Sequence, residues 1–276
     1  MMASKFSLRT WVLSIGLLVV FGSSASVGKR AEAGIAGLWE FGNASNVGQA
    51  TIGNNLTVVG TTPSHFASQT YNGLTLNGVI ETVPGIANHL IATHGIAANG
   101  GGTRVNQYSM LFDIRRPNTD EWRTLFQSDT TNANDGDYFI RNSDARLGVG
   151  ALGYTTNFQM PADQWHRLVI TADLSATGAY QTYIDGTLIQ THTQPALDSD
   201  RFSFLPTVLL FGDEDVENNL LSVGAVAIWD QTLNSAQVAS LGLAGTSIVA
   251  VPEPSSMMLV GLVAVGLYAA RRRKKA

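Results

Sequence analysis

Hydrophobic and polar residues alternate along much of the middle of the chain. Tyr108, Met110, Phe112 and Ile114 interleave with Ser109, Leu111, Asp113 and Arg115. A period of two belongs to a strand, whose successive side chains point to opposite faces. Residues 166–171 are rich in β-branched and aliphatic side chains and predict another strand. Further strands are predicted at 37–41, 56–59, 73–80, 124–127, 138–142, 146–149, 207–211 and 222–229. Gly, Asn, Asp and Pro clusters separate them, and short strands so spaced predict a sandwich of two sheets. Residues 179–184 and 187–192 flank Asp185-Gly186, a dipeptide that tolerates the positive φ angles of a type I′ turn, so a hairpin of fixed register is expected. Helical periodicity is nearly missing. One short helix is expected near the end, with Asn234 as its cap, Gln237 reaching back to it, and Val238 and Leu241 packing inward.

Two apolar stretches depart from the alternation. Near the start, Lys5 and Arg9 precede the apolar residues 11–21, and small residues follow. That order is the one a secretory signal peptide has. Residues 1–33 are assigned to it, with the cut expected between 25 and 33. Near the other end, residues 257–270 carry no charge but fall short of the roughly 20 residues that cross a hydrocarbon core comfortably. Flanking Ser255 and Ser256 and a snorkelling Arg271 lengthen the segment, so a membrane helix is expected at 256–270. The cations Arg271, Arg272, Arg273, Lys274 and Lys275 would hold that end in the cytoplasm.

Charge changes once these ends are set aside. The whole chain carries −4, but residues 1–33 contribute +3 and residues 252–276 contribute +4, leaving −11 on residues 34–251. That region holds eight arginines and no lysine. It has no cationic patch for a polyphosphate backbone, so nucleic acid is excluded as a partner. The chain also has no cysteine, so the domain must be stable through its core, without disulfides.

Pro252, Glu253 and Pro254, then the apolar run, then Arg271, Arg272 and Arg273 with the two lysines, resemble the PEP-CTERM sorting signal of Gram-negative bacteria. The resemblance implies an exosortase and the secretion machinery as partners. It also implies attachment to the inner membrane in transit, through the C-terminal helix, and then delivery to the cell surface or extracellular matrix. It concerns delivery and leaves biochemical activity open.

A second resemblance covers about residues 36–243. The run from Trp165 to Asp173, the strand ending at Ile184 and the Asp185-Gly186 turn look like the centre of laminin-G-like, concanavalin A-like jelly-roll domains. Residues 223–238 look like their closing strand and capping helix, and Leu38-Trp39-Glu40-Phe41 fits their first strand. The implied fold is an all-β, concanavalin A-like (LamG-like) jelly-roll β-sandwich with one short C-terminal helix. It is expected over 34–243, with a linker at 244–251 and the sorting signal at 252–276. Gly42 stands where those domains often carry an acidic residue, so no metal ligand is carried over there. Trp165, Trp229, Tyr183 and Phe41 read as core aromatics.

The acidic clusters are the best candidates for chemistry. Asp213-Glu214-Asp215-Val216-Glu217 and Asn134-Asp135-Gly136-Asp137 offer hard oxygen ligands of the kind Ca²⁺ accepts. A Ca²⁺ held by Asp213, Asp215 and Asp135 or Asp137 is one reading, and a pair of solvated acidic turns is the other. Trp122, beside Asp120 and Glu121, reads as a loop tip where an aromatic ring meets a sugar. Catalysis is not expected. Glu214 and Asp215 are adjacent and would point to opposite faces of a strand, whereas glycoside hydrolysis needs two carboxylates flanking one bond. Five scattered histidines form no zinc constellation, and no nucleophile elbow is present. The expected function is non-catalytic recognition of an extracellular glycan or a surface protein, with a structural matrix role as the alternative and glycoside hydrolysis behind both.

Overall fold

The computed structural model describes residues 34–175, 180–192 and 196–248. The expected signal peptide, the sorting residues Pro252, Glu253, Pro254, Arg271, Arg272 and Arg273, and the expected membrane helix lie outside the described residues. Among the described residues, no helix is long and apolar enough to cross a membrane.

Fifteen strands and one helix follow in order among the described residues: β1 (Ile35–Trp39), β2 (Thr57–Val59), β3 (Ser64–Tyr71), β4 (Leu74–Glu81), β5 (His89–Thr93), β6 (Gln107–Arg115), β7 (Arg123–Gln127), β8 (Tyr138–Ile140), β9 (Leu147–Val149), β10 (Gly153–Tyr154), β11 (His166–Asp173), β12 (Tyr180–Ile184), β13 (Thr187–His192), β14 (Thr207–Leu210), β15 (Ser222–Trp229) and α1 (Ser235–Ser240). They build two antiparallel sheets. The first has eight strands, ordered β13-β12-β11-β6-β15-β4-β3, with β1 paired to β15; the second has seven, ordered β10-β9-β8-β7-β14-β5-β2. This is the jelly-roll sandwich the sequence predicts.

The alternation in β6 places its residues as expected. Tyr108, Met110, Phe112 and Ile114 join Phe126, Tyr138, Ile140, Leu168, Ile170 and Val226 in the main core between the sheets. Tyr138 of β8 meets the Thr182 hydroxyl of β12 at 2.5 Å across this apolar layer, and the buried Tyr108 hydroxyl donates to the Phe202 carbonyl at 2.7 Å. Buried hydroxyls need such partners, because an unpaired one loses its hydration without return.

Leu111, on the other face of β6, is also fully buried. It packs with Val169, Tyr183, Trp229, Leu233, Val238, Leu241 and Ile248 in a second core outside the first sheet. Helix α1 and the chain after it cover that face. Asn234 caps α1 in the expected capping box, its side chain accepting from Ala236 and Gln237 while Gln237 reaches back to the Asn234 backbone. Trp165, Trp229, Tyr183 and Phe41 are all buried, as their aromatic character predicts.

Residues 242–248, which include the start of the expected linker, lie against the sandwich through a buried ion pair. Arg167 donates to both Asp113 oxygens at 2.7 Å and to the Thr246 carbonyl at 2.9 Å, and the Gly245 N–H donates to Asp113 at 2.9 Å. Ala244 and Ile248 are buried beside them.

The Asp185-Gly186 hairpin forms as predicted, with φ of 51° and 80°. Asn72-Gly73, with φ of 47° and 80°, makes a second turn of the same kind and joins β3 to β4. Strand β3 went unread in the sequence because it ends its sheet and buries no face, so it carries no apolar alternation. Strands β5 and β10 are also additional to the expected set; each is short and flanked by turn residues.

Candidate functional site

A cross-strand row organises the face of the second sheet that points away from the core. Thr124 of β7 stands opposite Phe139 of β8, Phe139 opposite Gly148 of β9, and Gly148 opposite Tyr154 of β10. Tyr138 and Ile140 pack between the sheets, so their neighbour Phe139 lies on the other face, where it is itself buried under Trp122. Gly148 adopts φ +140°, and a Cβ there would lie 2.2 Å from the Gly153 carbonyl oxygen, so only glycine lets β10 approach this closely. Trp122 precedes β7 and leans over the row, its ring meeting Phe139 edge-on at 5.5 Å and Tyr154 at 6.1 Å. Arg141 lies over the Tyr154 ring at 4.4 Å and is held by two hydrogen bonds to Asp144, at 2.9 and 2.5 Å. Trp122 is half-buried and packed on the core, less exposed than a loop tip.

Two loops meet at this row. The loop after β14 and the loop after β7 bring Asp213, Glu217 and Asp135 together, with ligand oxygens within 4.8 Å of one another. Asp213 is fully buried and ties the loops together. Its Oδ1 accepts from the Gly136 N–H at 3.1 Å, and its Oδ2 accepts from the N–H groups of Asp215 and Glu217 at 2.9 and 3.1 Å. Buried Asn218 anchors the same loop by donating to the carbonyls of Gly85 and Asn88, each at 2.9 Å.

The sequence-derived set is therefore regrouped. Asp135 and Asp213 stand together. Asp215 is exposed and outside the trio. Asp137 is buried away from it, accepting from the Ser128 N–H at 2.5 Å and from Arg201 Nε at 3.2 Å. Glu217 takes the third place. Residues 213–217 form a loop, where strand parity does not apply, and a reach of four residues brings Glu217 back to Asp213.

Electrostatics distinguish Glu217. Burial, followed by repulsion from Asp213, Asp135, Asp215 and Glu214, pushes its carboxyl up to about 7. Glu214 is raised for similar reasons, with burial the largest. Arg201 offsets part of the charge, donating to Asp135 Oδ2 at 3.2 Å and to the Gly136 carbonyl at 2.5 Å. Negative charge beyond what one arginine neutralises gathers where a cation would relieve it. Gln127 adds a polar atom. It is fully buried, its Nε2 donates to the Asn134 carbonyl and to Glu214, and its Oε1 has no partner. Three carboxylates with a neighbouring unpaired amide oxygen are the donor chemistry that Ca²⁺ prefers. These residues fit such an ion.

Residues 92–239 match the family described as the concanavalin A-like lectin/glucanases superfamily, and residues 250–274 match the PEP-CTERM protein-sorting motif. The latter indicates export, sorting to the cell surface and processing by an exosortase. No curated protein matches the chain. Among solved structures, one similar chain is domain 4 of AbnA, a GH43 extracellular arabinanase from Geobacillus stearothermophilus, in complex with arabinotriose. It is 16% identical with a TM-score of 0.51, and the match covers 77% of this chain and 100% of that one. Another is the Trypanosoma rangeli sialidase in complex with sialic acid, 13% identical with a TM-score of 0.52, where the match covers 76% of this chain and 33% of that one. At these identities the likeness concerns the fold.

Proposed function

The chain belongs to the concanavalin A-like lectin/glucanases superfamily, and from that premise we propose that it is an exported, non-catalytic recognition module that binds a glycan on the outer face of its second sheet. The observation that carries this reading is the half-buried Trp122 beside Tyr154, standing next to the trio Asp135, Asp213 and Glu217. Aromatic rings offer the apolar faces of a sugar a flat partner, and nearby carboxylates accept hydrogen bonds from its hydroxyls. Arg141, fixed by Asp144, adds donors at the Tyr154 end.

Ca²⁺ belongs to the same proposal. Asp135 and Glu217 would hold it from the open side and Asp213 from beneath. Asp213 already accepts three backbone N–H bonds, so it would contribute mainly orientation and charge. A bound cation would remove the repulsion that raises Glu217 and would stiffen the two loops against Trp122.

The test is a glycan panel probed with the full chain in detergent, with Ca²⁺ and with a chelator. Saturable binding that weakens in the chelator and in Trp122→Ala supports the proposal. Binding indifferent to both refutes this site.

One observation favours a second reading. A carboxyl raised to about 7 lies close to other carboxylates, an arrangement in which a glycosidase keeps its general acid protonated. Release of reducing sugar by the wild type and none by Glu217→Gln would establish hydrolysis. Binding without turnover leaves recognition as the function.

A further inference from the structure

Charge is distributed very unevenly along the domain. Residues 41–103 contain a single Asp, Glu, Lys or Arg, which is Glu81. Seventeen of the nineteen carboxylates of residues 34–251 lie at or beyond Asp113. The uncharged stretch builds β2, β3, β4 and β5, so the fold collects it at one side of the sandwich. Strand β2 ends the second sheet and β3 ends the first, and residues 60–63 join them, so one edge of each sheet lies on that side.

Strand β3 is an unusual edge. It is eight residues long, pairs among the described residues only with β4, and exposes Ser64, Phe66, Ala67, Ser68 and Thr70. Phe66 is 36% exposed, and Ile52 in the same uncharged stretch is 41% exposed. Natural sheets guard long edges with charges, prolines or bulges, because unpaired N–H and C=O groups invite another strand. β3 has none of these along its length. Glu81, the exception nearby, lies 3.6 Å from Arg115, and Arg115 lies over the Tyr71 ring at 3.7 Å, so the neighbouring charges are engaged within the chain.

We propose that this edge is a self-association surface, on which β3 pairs antiparallel with β3 of a second copy of the chain. The pairing joins two eight-stranded sheets into one, about a two-fold axis near Ala67 and Ser68. Charge selects the occupant. A domain with −11 over residues 34–251 repels its own copies at most orientations, and on this side only Glu40 and Glu81 of each copy, among the described residues, stand near the edge. A basic partner would be drawn to the acidic side instead. Strand β13, at the other end of the same sheet, is shorter, follows Asp185 and lies against α1. This inference stands independently of glycan binding.

The chain has no cysteine, so one introduced thiol gives an unambiguous crosslink. Ser68→Cys and Gln190→Cys are compared in membranes carrying the full-length chain, under a mild oxidant. Crosslinking to twice the mass at Ser68→Cys and not at Gln190→Cys is expected. No crosslink at Ser68→Cys, or equal crosslinking at both positions, overturns the proposal. Sedimentation of the detergent-extracted chain is the second readout. The wild type is expected as a dimer that tightens at roughly tenfold higher salt, because screening weakens the repulsion between copies. Ser68→Lys, which sets like charges across the axis, is expected to halve the apparent mass with an unchanged melting temperature. A wild type monomeric at every salt concentration overturns the proposal.

Discussion

The Trp122 carbonyl accepts two hydrogen bonds from Asn219, one from its backbone N–H and one from its side-chain amide, each 3.1 Å long. The aromatic wall and the acidic loop are thereby a single unit. Asn219→Ala removes the side-chain bond without touching either the ring or the carboxylates. It is expected to weaken glycan binding several-fold while the melting temperature falls by only a few degrees. Titration calorimetry beside thermal unfolding checks this, and unchanged affinity would mean that the two parts act separately.

Asp213 is the latch between the loops. Asp213→Ala leaves the N–H groups of Gly136, Asp215 and Glu217 without their acceptor. The loss is expected to be about 3 kcal/mol, from charge-assisted bonds in a buried setting. At about 2–4 °C per kcal/mol for a domain of this size, the melting temperature should drop by roughly 6–12 °C. A drop below about 2 °C would contradict the assignment.

The Glu217 carboxyl stands at about 7 in the folded chain, above its ordinary 4.5. The folded state therefore holds this proton more tightly than the unfolded one. The resulting stability is present below pH 4.5 and is lost as pH rises through 7. Solvent screening reduces the effect to about 1 kcal/mol. With a chelator present, Glu217→Gln should flatten the stability profile between pH 4.5 and 7. Excess Ca²⁺ should raise the melting temperature of the wild type and leave that of Glu217→Gln nearly unmoved, since an ion bound only by the folded state adds stability by mass action. Identical pH profiles for the two proteins would count against the electrostatic reading.

Arg167 and Asp113 are each almost fully buried, with side-chain exposures of 1% and 2%. Arg167→Met strands the carboxylate and frees the carbonyls of Leu241 and Thr246. Removal of one partner from such a pair costs about 3–5 kcal/mol. The double variant Arg167→Met with Asp113→Asn should recover part of that loss. Denaturant unfolding of the single and double variants measures the coupling, and strict additivity would refute it.

What could be read from the sequence depended on which residues bury a face. Strands β6, β11 and β15 have apolar or β-branched runs because they lie inside the first sheet, and the capping box at Asn234 is a local pattern that needs no neighbour. β3 escaped because an edge strand of Ser, Gln and Thr buries nothing and so shows no alternation. At the site, Asp135, Asp213 and Trp122 were legible as residue types. Their grouping was not, because it depends on two loops 77 residues apart meeting at the Asp213–Gly136 hydrogen bond. Glu217 was visible within the acidic cluster, but its place beside Asp213 depends on how the loop folds back, with Val216 at φ 66°.

The clamp on residues 242–248 fixes how long a leash the sandwich has. Ile248 is buried, and three residues separate it from Pro252, where the sorting motif begins. Four steps of extended chain reach at most about 14 Å, less than half the thickness of a hydrocarbon core. Whatever engages Pro252 works almost against the folded domain. Ile248 packs in the core outside the first sheet, whereas Trp122 and Tyr154 belong with the second.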